Sequence, residues 1–422
     1  MFAQARVDQR QHHFIRVGHG AAALLLVWLA ACAPASAAAT PSPAPTTAVP
    51  ATALPAASAT TAAPAATVTT AATLAATAAP AAASPTLPAP TATTPAASLF
   101  QLDPDNPVLK ANFGWARTYL DPGAVIYHDG QFHMFFNGIE NWPAAVGVGY
   151  ATSPDGSHWT VRGDQPVFSL GPYSQSAAYD GPNLFAQSVL VQPDGTWVLY
   201  YYTLQGASFA GSESIGRATA PKPSGPWKAD PQPVLNPGTP GTWDAGQVSA
   251  PNVLSTTAGY VMYYDGLSSH NASMIGIATS PDGLHWTKYN DPATTSELYA
   301  ESDPVLAPEP NAWDAKRVMD PNVLPIDGGW AMVYLSTDGS GGKFAGSTFS
   351  LGYATSADGR VWTRAPQNPI LSTKGHQDWN GTYLVSLVQD ANQQYLLFDA
   401  ASAGGTRIFL ATHSGALALV KP

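Results

Sequence analysis

After residue 100 the chain repeats a short alternation of small and apolar residues, which is followed by a polar turn and a tryptophan. The clearest copy is Ile275-Gly-Ile-Ala-Thr-Ser-Pro-Asp-Gly-Leu-His-Trp286. A period of two predicts a β-strand, Pro-Asp-Gly predicts a tight turn, and the Trp begins a returning strand. Each copy is therefore predicted to form a β-hairpin. The Ala-Thr pairs of the five copies begin at Ala151, Ala218, Ala278, Ala354 and Ala411.

The third copy lies in a longer unit that predicts four strands, around Pro251–Leu254, Tyr260–Asp265, Ile275–Thr279 and His285–Thr287. Units of this kind recur at spacings of 57 to 76 residues, and helical periodicity of any length is absent. Repeats of several short strands at such spacing are typical of propellers. We therefore predict an all-β fold, a five-bladed β-propeller of four-stranded antiparallel blades.

The first 32 residues predict an export signal. Arginines precede an apolar run at Ala21–Ala31 that is too short to span a bilayer, and Leu29-Ala-Ala-Cys32 resembles a bacterial lipoprotein cleavage box. Cys32 is the single cysteine of the sequence, so we interpret it as a lipid-attachment point. The alternative is an ordinary secretory signal cut near Ala37. Both alternatives predict an exported protein, at the cell surface or anchored to a membrane.

Residues 33–97 are almost wholly Ala, Pro and Thr, with no charged or aromatic residue. Such a segment buries too little apolar surface to offset chain entropy, so it predicts a disordered tether. Residues 98–422 then form the propeller. We expect the segment around Asn106–Leu109 or the C-terminal Leu417–Val420 to complete an edge of the first or last blade, because closure of the ring removes an unpaired edge strand. The net charge of −10 argues against nucleic acid as a ligand and favours neutral glycans. We expect a monomer with no cofactor, and allow for a structural ion on the propeller axis.

Candidate chemistry lies at the start of the inner strands. In a propeller the first strand of each blade lines the central axis, so the residue before its proline lies at the mouth of the axial funnel. These residues are Asp121, Asp180 (followed by Gly-Pro), Ala250 and Asp320. Carboxylates that converge there repel one another, so one proton is held to higher pH. A protonated and an ionised carboxyl together suit cleavage of a glycosidic bond.

Other residues complete the candidate site. Glu140 and Glu213 lie in polar loops and are candidate general acids. Trp115 and Trp142 are candidates for stacking on a sugar, and Arg117 and Arg317 for pairing with the carboxylates. Each has a simpler interpretation, because Asp before Pro often caps a turn and a loop Glu is usually solvated.

The segment Leu120–Phe136 resembles the opening of blade 1 in the five-bladed glycosidases of glycoside hydrolase families 43 and 32. The resemblance implies that Asp121 is the general base of family 43 or the nucleophile of family 32. Family 43 has a second Asp in blade 3, where this chain has Ala250, and a Glu acid in blade 4, where it has Asp320. Family 32 has acidic partners in blades 2 and 3, to which only Asp180 corresponds.

Three functions follow from these residues. The first is a lipid-anchored glycoside hydrolase that acts on a furanoside or related glycan. The second is a carbohydrate-binding propeller without catalysis, and the third is a sialidase, which requires three converging arginines. Asp244 and Asp314 follow Trp243 and Trp313 in matching registers, and this repetition predicts a structural role for both pairs.

Overall fold

The computed structural model describes most of the chain after residue 98. The predicted signal, Cys32 and the predicted tether lie outside the described residues, as do Trp142 and Asp180. The described ranges are 99–140, 146–170, 183–204, 213–268, 272–337, 349–372, 384–390, 392–402 and 405–420.

The described residues form five antiparallel blades. Two short strands come first, β1 (Gln101–Leu102) and β2 (Leu109–Lys110). Blade 1 contains β3 (Tyr119–His128), β4 (Gln131–Ile139), β5 (Gly147–Ser153) and β6 (Thr160–Val161). Blade 2 contains β7 (Asn183–Val191), β8 (Trp197–Leu204), β9 (Ile215–Ala220) and β10 (Lys228–Ala229). In both blades the strands pair in sequence order.

Blades 3 and 4 repeat this order and each adds one short edge strand. Blade 3 contains β11 (Gln247–Thr256), β12 (Gly259–Leu267), β13 (Ser273–Ser280), β14 (Thr287–Lys288) and β15 (Pro304–Leu306). Blade 4 contains β16 (Arg317–Ile326), β17 (Gly329–Thr337), β18 (Phe349–Ser356), β19 (Thr363–Arg364) and β20 (Leu371–Ser372). A single parallel bridge between Ser273 and Arg317 joins the two sheets.

Blade 5 closes the ring with strands from both ends of the described chain. It contains β21 (Val385–Gln389), β22 (Gln393–Ser402) and β23 (Gly405–Ser414). Strands β1 and β2 pair antiparallel with β23, so the segment around Leu109 supplies the outer edge of the last blade. The prediction that this segment completes an edge is confirmed. Pairing of this kind removes the exposed strand edge that an open ring would leave.

The predicted hairpins are present on the third strand of the blades. In blade 1 the Ser153 hydroxyl accepts a hydrogen bond from the backbone N–H of Gly156 at 2.8 Å, and Asp155 Oδ1 accepts from the N–H of His158 at 2.8 Å. Gly156 has φ 79°, which glycine adopts without steric cost. Ser280 and Ser356 repeat the serine bond at 2.8 Å. The aspartates of these turns are therefore structural.

Apolar packing occupies every interface between neighbouring blades. One buried cluster lies between each adjacent pair, and the cluster between blades 5 and 1 includes Leu397 and Phe136. Side chains also form hydrogen bonds between neighbouring blades. Asn137 binds both the N–H and the C=O of Ala186, and the Ser188 hydroxyl accepts from the N–H of Val253 at 3.0 Å.

The same bonding continues through the remaining blades. Asn252 accepts from the N–H of Val323, Asn322 accepts from the N–H of Leu387, and the Ser386 hydroxyl donates to the C=O of Gly123. Because the last bond returns to blade 1, these side chains link all five blades in a closed ring. Asn137 belongs to β4, the second strand of blade 1, and the other four side chains belong to inner strands.

The recurring Trp-Asp pairs are part of the scaffold, as predicted. Asp244 is fully buried and accepts from Lys288 Nζ at 2.6 Å and from the Tyr264 hydroxyl at 3.3 Å. Asp314 is also fully buried and accepts from Arg364 Nε at 2.8 Å. A buried carboxylate requires such compensation, because an unpaired charge in the interior is strongly destabilising.

Candidate active site

The inner strands of blades 1 to 4 each carry a β-bulge at one height. The register shifts lie between Asp121 and Ala124, Ala186 and Ser188, Ser249 and Asn252, and Met319 and Asn322. A bulge leaves one or two residues outside the ladder and redirects their side chains. Proline cannot donate to the ladder, which explains why Pro122, Pro251 and Pro321 occur at these bulges. Asp121-Pro and Asp320-Pro therefore both lie at bulges of inner strands.

Asp121 and Asp320 are not structurally equivalent, so the prediction that they occupy the same blade position is wrong. Asp121 pairs with Asn137 just before its bulge, as Ser249 pairs with Asp265 in blade 3. Asp320 lies inside the bulge of blade 4 with φ 51°. The two bulges differ in which residue has a positive φ. In blade 4 this residue is Asp320, before the proline, whereas in blade 1 it is Gly123, after the proline.

Asp320 is held on the axis by two other blades. Its Oδ1 accepts from Gln187 Nε2 of blade 2 at 2.7 Å, and its Oδ2 accepts from the backbone N–H of Val385 in blade 5 at 2.6 Å. The residue is 2% exposed. Both oxygens thus bind the scaffold. The supporting catalytic role that we predict for Asp320 stays a prediction, and the geometry adds a structural one.

Glu213 lies just before β9 and is a buried carboxyl. The residue is 5% exposed, and its backbone carbonyl accepts from the N–H of Val248 in blade 3 at 3.2 Å. Burial, followed by the charge of Asp265, raises the pKa of Glu213 to about 8, although a hydrogen bond with Ser249 opposes this. Glu213 therefore keeps its proton at neutral pH, as a general acid requires.

Asp265 is a second buried carboxyl, at the end of β12. Burial raises its pKa to about 7, against hydrogen bonds with Ser273 and Ser249 and the charge of Arg317. Ser249 lowers the pKa of both carboxyls, so it lies near each of them. Arg317 is 8% exposed, and burial lowers its guanidinium pKa while the charge of Asp265 raises it. The charge of Arg317 lowers the pKa of Asp265, although burial outweighs this effect, and its predicted role in the site stays a prediction.

The phenol of Tyr202 is affected by the charges of carboxyls from four blades. Burial raises the pKa of its phenol well above 10, and the charges of Glu213, Asp320, Asp121 and Asp265 raise it further, in that order of size. Each of these carboxyls is therefore within electrostatic reach of one phenol. The structure brings together Asp121 of blade 1, Glu213 of blade 2, Asp265 of blade 3 and Asp320 of blade 4.

Three other predicted residues lie elsewhere. Trp115 stacks on Phe136 with ring centroids 5.7 Å apart, much as Trp243 stacks on Tyr264 at 5.8 Å. Arg117 Nε lies 3.7 Å from Glu140 Oε1, and the side chains are 67% and 47% exposed. No contact of Trp115, Arg117 or Glu140 with the four carboxyls is found in the described part of the chain, and their substrate-binding and acid roles stay predictions.

Sequence reasoning missed Asp265 and Tyr202. Asp265 occupies the register position that Asn137 has in blade 1, so a blade-by-blade alignment of the second strands would have shown a carboxylate in place of an amide. Tyr202 belongs to the run Tyr200-Tyr-Tyr202, where the sequence alone does not show which ring faces the axis.

The described ranges contain no group of three or more His, Cys, Asp or Glu side chains placed to hold a metal ion. They also contain no helix with the length and apolar character needed to cross a membrane.

Known sequences are similar to parts of this chain. Residues 113–301 match the glycosyl hydrolases family 32 N-terminal domain. A curated relative, the 1,2-beta-oligomannan phosphorylase of Thermoanaerobacter sp. (strain X514), is 26% identical over 244 residues, which are 56% of this chain and 70% of the relative.

Solved structures share the fold at low sequence identity. A protein assigned to the glycoside hydrolases from Parabacteroides distasonis ATCC 8503 superposes with a TM-score of 0.58 at 17% identity, covering 76% of this chain and 98% of that one. Another structure comes from work on GH130, a family of mannoside phosphorylases that contains hydrolases of β-1,2 mannosidic linkages in Candida mannan. It superposes with a TM-score of 0.56 at 16% identity, covering 76% of this chain and 96% of that one. A thermostable family-43 glycoside hydrolase superposes with a TM-score of 0.52 at 17% identity, covering 74% of this chain and 98% of that one.

Proposed function

We propose that this chain, a five-bladed β-propeller of the superfamily that includes the glycosidases of families 32 and 43, cleaves glycosidic bonds in its axial funnel. The observation that supports this most strongly is the pairing of a buried, protonated Glu213 with carboxylates from three other blades around Tyr202. A protonated carboxyl and an ionised one are the two groups that glycoside cleavage needs.

In the proposed reaction Glu213 is the general acid. Its proton passes to the glycosidic oxygen as the bond from that oxygen to the anomeric carbon breaks. Asp121 is the base that takes a proton from the attacking water, or the nucleophile that attacks the anomeric carbon before water does. Asp265 is a positioning residue, since its charge helps Glu213 to keep its proton. The resemblance to family 43 implies a second Asp at the position of Ala250, and in this chain we assign the role of that second Asp to Asp265.

Two substrate classes are supported by different observations. The resemblance of Leu120–Phe136 to families 43 and 32 favours a furanoside. The name of the curated relative and the work on GH130 favour a β-1,2-linked mannoside, cleaved by water or by phosphate. A phosphorylase transfers the glycosyl group to phosphate, so the presence of a sugar phosphate among the products distinguishes the two reactions.

The test is a panel assay of the purified propeller. Aryl arabinofuranosides, fructosides and galactosides are compared with β-1,2-mannobiose, each with and without inorganic phosphate, and products are identified by proton NMR. Cleavage of one class supports the proposal, and the anomer formed first distinguishes retention from inversion. Glycan binding without cleavage of any of them contradicts the proposal and supports the carbohydrate-binding alternative.

The sialidase alternative makes a different prediction. It requires three arginines in one pocket, whereas Arg117 is largely exposed and pairs with Glu140. Release of sialic acid from an aryl sialoside in the same assay would support it.

We also propose that the protein is exported and anchored by lipid at Cys32, with residues 33–97 as a tether. The proposal is supported by the arginine-rich leader and the Leu29-Ala-Ala-Cys32 box. We expect mass spectrometry of the mature protein to find an acylated Cys32 at the N-terminus, and Cys32→Ala to release the protein from membranes. A mature N-terminus near residue 38 would instead identify an ordinary secretory signal.

A further inference from the structure

Asn183, the first residue of β7, is a buried amide that has no hydrogen-bond partner among the described residues. The residue is 0% exposed, and within those ranges neither its side-chain oxygen nor its nitrogen is bonded. Buried polar groups are nearly always paired, because an unpaired one has lost its hydrogen bonds to water without replacement. Asn137 differs in this respect, since that buried amide binds both backbone groups of Ala186 at 3.1 and 2.8 Å. Asn183 is therefore an amide that the scaffold does not use.

Asn183 lies on the same face of blade 2 as Glu213. Phe185 pairs with Tyr202 across the ladder, and Tyr202 pairs with Ile215. Alternate residues of a strand project to the same side, so Asn183 shares the face of Phe185, and Glu213 shares that of Ile215. The rings of Phe185 and Tyr202 stack with centroids 5.1 Å apart and planes at 12°. On the same face, Asn183 lies next to this stacked pair along the ladder, opposite Leu204.

A second polar group accompanies the amide. The Tyr202 hydroxyl makes no hydrogen bond within the described ranges, and its phenol stays neutral because burial and four carboxyls raise its pKa well above 10. It is thus a donor at every working pH. An amide offers a donor and an acceptor side by side, which matches two neighbouring hydroxyl groups of a sugar.

We infer that Asn183 and Tyr202 form a sugar-binding subsite beside Glu213, in which the amide binds two adjacent hydroxyl groups and the phenol donates to a third oxygen of the ring that is cleaved. The inference rests on the proposed function and names the residues that select its substrate. A site built to bind a hydroxyl group strongly rejects an analogue that lacks it, because its buried polar groups are then left unpaired.

The first experiment measures binding in the Glu213→Gln protein, which retains the subsite without cleaving. β-1,2-mannobiose and methyl α-L-arabinofuranoside are titrated calorimetrically into this protein, and into the same protein carrying Asn183→Leu or Tyr202→Phe. We expect each added substitution to weaken binding of the accepted sugar by about 10- to 100-fold. A sugar that lacks one of the adjacent hydroxyl groups should bind equally weakly with and without the Asn183→Leu substitution.

The second measurement separates this subsite from a structural amide. Leu is close to Asn in shape and has no polar atoms, so Asn183→Leu should leave Tm unchanged or raise it. The matched control, Asn137→Leu, should lower Tm because it breaks two backbone bonds. A lower Tm with unchanged binding in Asn183→Leu would show a structural amide, and a higher Tm with unchanged binding would show a buried water only. Either result overturns the inference, as does absence of sugar binding.

These results are independent of cleavage. If the wild-type protein cleaves no glycoside but its sugar binding depends on Asn183, the proposed reaction fails and the subsite stands. If the wild type cleaves and Asn183→Leu changes neither KM nor binding, the subsite fails and the proposed reaction stands.

Discussion

Glu213→Gln is expected to lower kcat for hydrolysis of the accepted glycoside by about 10²- to 10⁴-fold, since a positioned general acid contributes an effect of this size. The amide is similar in shape to the carboxylic acid but has no proton to give to the leaving oxygen. Steady-state kinetics on two aryl glycosides tests this assignment. A 2,4-dinitrophenyl leaving group departs without protonation, so its hydrolysis should be affected much less than that of a phenyl glycoside.

The pH profile supplies an independent check. The pKa of Glu213 is raised to about 8, so kcat/KM of the wild type should fall as pH rises through about 8, and this decline should be absent in Glu213→Gln. An equal loss of rate on both aryl glycosides, with an unchanged pH profile, would show that Glu213 is not the acid.

The same carboxyls should make folding stability depend on pH. In the unfolded chain Glu213 and Asp265 lose their protons near their ordinary values of 4.5 and 3.8, whereas in the folded protein they keep them to about 8 and about 7. As pH rises between these values the unfolded state releases protons first, so stability is greatest on the acid side and declines through about pH 8. Tm measured from pH 5 to pH 9 should therefore fall, and less steeply in Glu213→Gln.

Asp121→Asn is expected to reduce hydrolysis by at least about a hundredfold while Tm changes little. The substitution removes the base or nucleophile but keeps the shape of the side chain. Kinetics and thermal denaturation of the same preparation provide both measurements. Unfolding of Asp121→Asn would show that this residue only caps the strand.

Asp320→Asn is the matched control, because it makes the same change at the Asp-Pro sequence of another inner-strand bulge. Asp320 binds Gln187 and the N–H of Val385 through separate oxygens, and an asparagine has only one oxygen to accept with. We therefore expect a lower Tm for Asp320→Asn. If it instead lowered the rate as much as Asp121→Asn with an unchanged Tm, the two carboxylates would act together, as the sequence predicts.

The local pattern of the sequence was sufficient for the fold. A hairpin depends on strand alternation and on turn residues a few positions apart, so the copies ending at Trp159, Trp286 and Trp362 could be recognised without knowledge of any distant contact. Their repetition also predicted the five blades and the scaffold role of Asp244 and Asp314, and the structure confirms both. The instability of an unpaired edge strand predicted closure through the segment around Leu109 or through Leu417–Val420, and the first of these is observed.

The candidate site is formed by residues that are far apart in the sequence and come close together only in the folded protein. Asp121 and Glu213 were found from the sequence because each adjoins a local feature, a proline or a polar loop. Asp265 and Tyr202 lie within ordinary strands, and only the packing of four blades around one axis brings them beside Glu213. The proton affinity of Glu213 is likewise a tertiary property, since burial and the charge of a residue 52 positions away raise its pKa. A one-residue difference in bulge geometry separated Asp121 from Asp320, because the face of a side chain follows the hydrogen-bond register of the strand and not the Asp-Pro sequence itself.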